Sequence, residues 1–148
     1  MRGLSYGIAV VGAVARLDLF AIRAANLLMA GEQHLDTGGW PHEGIWRSVQ
    51  EQIHRLPELY SGVLRGEALV KLQRMDGAVT GLLATPVEEK RQYAQALAHL
   101  LLASTSFAET CLPNRGHVKH GTKDARKVRR QLIDHFKLDP DPWDAGRK

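Results

Sequence analysis

The chain has 148 residues, 44% of them apolar and 24% charged, which suits a single domain with one continuous hydrophobic core. Leu and Ala dominate the apolar set while β-branched and aromatic residues are sparse, so the composition favours helices and argues against a sheet. The lone Cys111 excludes an intramolecular disulfide and suits a reducing cytoplasm, and the net charge of +4 is concentrated in one segment: Arg115, Lys119, Lys123, Arg126, Lys127, Arg129 and Arg130 face Asp124 alone.

A first helix is expected from near Leu4 to Ala30. Leu17, Phe20, Ala24, Leu27 and Leu28 recur at steps of three and four, and Gly31 can close the helix in a left-handed cap. The apolar run Ile8 to Ala15 is followed by Arg16, Asp18 and Arg23, where a membrane span would need apolar residues and a signal peptide would need a small-residue cleavage site. It is therefore read as the first turns of a buried helix. The stretch between Gly31 and Gly39 has no period and is expected to be a loop, after which Pro41 fits the first turn of a second helix with Ile45, Val49, Ile53 and Leu56 as its inward stripe.

Pro57 is expected to break or kink that helix and start another containing Tyr60, Val63, Leu64, Leu72, Met75, Val79, Leu82 and Leu83, itself interrupted near Arg65-Gly66. The glycines at 62, 66, 77 and 81 would allow close approach of a neighbouring helix. Thr85-Pro86-Val87-Glu88 reads as a capping box opening a long helix from Pro86 to Cys111, with Tyr93, Leu97, Leu100, Leu101, Ser104, Phe107, Ala108 and Cys111 on one stripe.

A polar connection from Asn114 to Gly121 would lead to Thr122 as the cap of a last helix running to about Leu138. Its wheel separates Lys123, Arg126, Lys127, Arg130 and Lys137 from Ala125, Val128, Leu132 and Phe136. The expected fold is an all-α, single-domain bundle of about five helices over residues 1–138, with an irregular tail over 139–148 in which Trp143 could anchor the chain.

The basic wheel is the most informative chemical feature. Cations on one face of a helix meet successive phosphates and gain affinity by releasing counterions, so Lys123, Arg126, Lys127, Arg130 and Lys137, with Arg115 and Lys119 alongside, form a candidate nucleic-acid surface. The plain alternative is a solvated face, since surface helices commonly carry such residues and Asp134 lies in the same stripe. No aromatic residue interleaves with these cations, which argues against stacking on single-stranded bases. The long connection also argues against a helix-turn-helix.

Arg130 and His135 have the Arg-x4-His spacing, which resembles the signature of small helical ribonucleases of the HEPN class; the resemblance implies arginine and histidine acting at a scissile phosphate. Arg47/His54 and Arg115/His120 have comparable spacings, and residues five apart on one helix project about 140° away from each other. Cys111, His117 and His120 include good zinc ligands but lack a fourth partner at a recognised spacing, so no metal or other cofactor is expected. His34, Asp36, His42 and Glu43 flank the Gly38-Gly39-Trp40-Pro41 loop, where polarity alone accounts for them.

The expected function is a non-enzymatic accessory protein that binds nucleic acid or a nucleoprotein complex through backbone contacts. The second expectation is a regulator, an inhibitor, immunity protein or assembly subunit, docking an acidic protein partner on the same face or an apolar one at Trp40. A helical ribonuclease comes third. No membrane partner is expected, and the apolar face of the first helix and the glycines of the third could bury against a second copy.

Overall fold

A computed structural model describes residues 2–31, 43–59, 66–111 and 116–139, with side chains placed at 12–31, 43–58, 66–110 and 123–139. Five helices account for nearly all of this: α1 (Arg2–Met29), α2 (Glu43–Leu59), α3 (Glu67–Leu83), α4 (Lys90–Cys111) and α5 (Gly116–Phe136). No strand occurs among the described residues, and the architecture is the all-α bundle that the composition implies.

The helix α4 is the centre. It packs against α3, α5 and α1, while α2 covers the side formed by α1 and α3. From Leu100 to Ala108 it is buried all round, including Ser104, Thr105 and Ser106, as a helix surrounded by neighbours must be. Leu17 and Ala21 from α1, Ile53 from α2, Met75 and Val79 from α3 and Leu132 from α5 meet Leu97, Leu101 and Phe107 in one core. Trp46 is buried beside this core with Phe20 against it edge-on, ring centroids 6.3 Å apart.

Local signals explain several boundaries. The helix α1 ends where Gly31 turns to φ 72° and its amide donates to the Leu28 carbonyl. The break ahead of α3 falls at Gly66, whose φ of 62° and ψ of −131° belong to glycine's range. The helix α5 ends in a Schellman turn: Lys137 adopts φ 55° and the Leu138 amide donates to the Ile133 carbonyl at 3.0 Å.

Four expectations are corrected. Pro57 neither ends α2 nor starts the next helix; it lies inside the last turn, where the lost amide interrupts only one bond near a terminus. The capping box at Thr85 is not formed, and α4 begins at Lys90 instead of Pro86, because the Thr85 hydroxyl donates backwards to the Gly81 carbonyl (2.8 Å) and closes α3. The connection from Asn114 to Gly121 is helical from Gly116 onward, so Thr122 lies inside α5. Glycines 77 and 81 are exposed, and a Cβ on either would meet nothing within 4 Å, so they mark no helix–helix approach.

The helices α4 and α5 run antiparallel, in contact from Arg126 to the end of α5. At one end Glu109 of α4 pairs with Arg126 of α5. At the other, Arg91 Nη2 donates to the Lys137 carbonyl at 2.8 Å, and Gln95 clasps the Asp139 backbone, Nε2 donating to its carbonyl (3.1 Å) and Oε1 accepting from its amide (3.3 Å). A helix-turn-helix crosses its two helices at roughly 90–120°, so this end-to-end pairing, and not the length of the connection, is what sets the hairpin apart from that motif. No helix of the described residues is long and apolar enough to cross a membrane.

Candidate nucleic-acid interface

The surface is built on α5, whose period of 3.6 residues sends Ala125, Val128 and Leu132 into the core and leaves Lys123, Arg126, Lys127 and Arg130 exposed. Burial of the first three against α1 and α4 fixes the helix's rotation about its own axis, so the cations are presented on a rigid support. Asp124 and Asp134 share the exposed side and temper its charge, with the neutral Gln131 alongside.

Lys137 is not part of the helix that carries this face. It is exposed, but it lies past the end of α5 in the left-handed turn, and its backbone carbonyl is taken by Arg91. Arg115 and Trp40 lie outside the described residues, and Lys119 belongs to α5 through its backbone while its side chain lies outside them. The same holds for the side chains of Cys111, His117 and His120, and for His34, Asp36 and His42 altogether. Among the described residues no three His, Cys, Asp or Glu side chains are grouped as metal ligands would be.

Two features of the interface depend on tertiary register. Arg126, its side chain 51% exposed, reaches across to Glu109 on α4 and forms an ion pair. Arg129, at the edge of the wheel, is half-buried between α4 and α5. Neither was deducible from the wheel of α5 alone, because the partner sits on another helix.

Arg130 and His135 remain on one continuous helix, and His135 rests edge-on against Phe136, with ring centroids 4.7 Å apart. On a continuous helix, side chains five residues apart project in different directions. A second histidine has an acidic partner elsewhere: His54 Nε2 lies 2.8 Å from Asp76 Oδ1, and Gln50 Nε2 donates to the same oxygen (2.9 Å) and to Thr80 Oγ1 (2.7 Å). This cluster ties α2 to α3.

Away from the interface, a carboxyl group is enclosed by the bundle. Asp18 on α1 is 6% exposed and receives the Ser104 hydroxyl at 2.6 Å; burial raises its pKa to about 7, with the Ser104 hydrogen bond acting in the opposite direction. Burial likewise pushes Tyr93 up to about 12, partly offset by the Trp46 side chain. Comparison of the chain with protein-family models, with curated proteins and with solved structures finds no match, so its chemistry is read from these side chains.

Proposed function

We propose that the protein is a non-enzymatic accessory factor that binds nucleic acid, or a nucleoprotein complex, by neutralising backbone phosphates with the exposed face of α5. The observation that carries this reading is the placement of Lys123, Arg126, Lys127 and Arg130 on the solvent side of a helix whose other side is anchored in the core. From Lys123 to Arg130 the helix rises roughly 10 Å, about three base-pair steps measured along a duplex axis, where each strand carries one charge per ~3.4 Å. Because the helix is already formed, meeting a regular row of charges costs side-chain entropy but no ordering of the backbone. Phosphate contacts of this kind position a protein on a duplex without reading its bases.

Fluorescence-anisotropy titration of labelled single-stranded and duplex DNA and RNA at two salt concentrations tests the proposal. Binding is expected to weaken with salt, to vary little with sequence, and to fall at least tenfold in an Arg126→Glu, Arg130→Glu variant that keeps the wild-type circular dichroism. Absence of binding to every probe at low salt would overturn it.

The ion pair between Arg126 and Glu109 supports a second reading, since it shows a carboxylate seated on this face. An acidic protein would compete for the same cations. Retention of such a protein by the wild type and not by the charge-reversed variant, with no nucleic-acid binding by either, would favour it.

A further inference from the structure

A cavity of about 160 Å3 lies between α4 and α5, with Thr105, Ser106 and Glu109 on one wall and Arg126, Arg129 and Arg130 on the other. Its lining is rich in hydrogen-bond donors. Among the described residues that line it, three are arginines, whose guanidinium groups carry several N–H donors and no acceptor, and the one carboxylate, Glu109, is paired with Arg126. A complementary occupant is therefore an acceptor with negative charge.

The hydroxyls of α4 provide an independent sign. Ser104 donates to Asp18 and Thr105 donates back to the Leu102 carbonyl at 2.9 Å, so both are satisfied inside the protein. Ser106 is only 3% exposed, yet its Oγ has no hydrogen-bond partner in the protein, although a back-bond of the Thr105 kind is the ordinary recourse within a helix. Of these three consecutive hydroxyls, the unsatisfied one belongs to a residue lining the arginine-walled cavity.

Size narrows the class. At ~30 Å3 per water in the liquid, the space corresponds to roughly five waters, or one tetrahedral oxyanion of five heavy atoms. It is well short of the ~300 Å3 at which pockets for larger organic ligands begin, so the space suits a small anion better than a nucleoside. Guanidinium forks suit the oxygens of a phosphate, which can accept from two arginines and a hydroxyl at once.

We infer that the α4–α5 cavity is a binding site for a single phosphate group, held by Arg129, Arg130 and the Ser106 hydroxyl. The group is either inorganic phosphate or the terminal monoester of a nucleic acid, which presents the same free oxygens. The inference shares Arg126 and Arg130 with the proposed nucleic-acid face but stands on the cavity and on Ser106, which that face does not use.

The test is calorimetric titration of the full chain with inorganic phosphate, with ionic strength held constant by chloride. Alongside it, the anisotropies of 5′-phosphorylated and 5′-hydroxyl oligonucleotides of one sequence are compared. Ser106→Ala removes a buried hydroxyl with no protein partner, so it should keep or raise the wild-type melting temperature while weakening phosphate roughly tenfold or more. Arg129→Gln should abolish saturable binding, and a Lys123→Glu, Lys127→Glu variant should retain it.

Saturable phosphate binding with this pattern supports the site with the free ion as occupant. A preference for the 5′-phosphorylated oligonucleotide, erased by Ser106→Ala, supports it with a nucleic-acid end as occupant. No saturable phosphate binding together with equal affinity for both oligonucleotides would overturn it, as would an unchanged affinity in Ser106→Ala. If inorganic phosphate binds and no oligonucleotide does, the nucleic-acid reading fails while the site stands; if both oligonucleotides bind equally and phosphate does not, the reverse holds.

Discussion

Asp18 shows how one buried group couples the fold to pH. When neutral, its O–H can donate to Ser104 Oγ, which in turn can donate to the Leu101 carbonyl 3.1 Å away, leaving every member satisfied. When ionised, it holds a charge inside the bundle with Ser104 as the hydrogen-bond donor the structure gives it. Its pKa is about 7 in the folded chain against an ordinary value of 3.8, so the native state holds the proton more tightly than the unfolded chain does. The stabilisation is complete below about pH 4, declines as pH rises toward 7 and is lost above it, on the order of 4 kcal/mol in all. Asp18→Asn should therefore melt progressively higher than the wild type as pH goes from 5 to 8. A difference in melting temperature that is the same at both pH values would refute this account of Asp18.

At the scale of elements, two glycines and one lysine occupy positions where another residue would fit the helix better. Gly77 and Gly81 lie on the exposed side of α3 with open space where a Cβ would go, so alanine at each should stabilise by about 1 kcal/mol through helix propensity. Lys137 holds a left-handed conformation that glycine adopts freely, and Lys137→Gly should raise stability by up to about 1 kcal/mol while leaving nucleic-acid affinity nearly unchanged. Urea midpoints at constant slope check all three, and a lower midpoint for Gly77→Ala would show that the space is in use. These positions also show what the sequence makes legible. The cap at Gly31 and the break at Gly66 are readable because a left-handed φ is a local demand. The start of α4 is not, because Thr85 can serve either neighbouring helix and its hydroxyl turns back to α3. The start of α5 is hidden by two glycines and turn-like composition, which local propensity weighs too heavily. The exposed cations of α5 follow from its period, whereas the Glu109–Arg126 pair and the cavity beside it arise only when α4 and α5 pack in one register.

At the scale of the whole molecule, α5 serves two ends: its apolar side completes the core and its basic side meets the solvent. Leu132→Ala should destabilise the bundle by about 2–5 kcal/mol, whereas charge reversals on the opposite side should leave the melting temperature within a few degrees. If three or four phosphates are neutralised, the logarithm of the binding constant should fall against the logarithm of salt with a slope of about −3 to −4 on duplex DNA. A slope near zero would exclude α5 as the contact. The helix α1 packs against α4 and α5, which lie many tens of residues further along the chain. During synthesis at roughly 5–20 residues per second, α1 leaves the ribosome on the order of 5–20 seconds before its last partner exists. Its apolar stripe, from Ala13 to Leu28, stays uncovered by those partners for that long, and the nascent chain can close its core only after α5 has emerged.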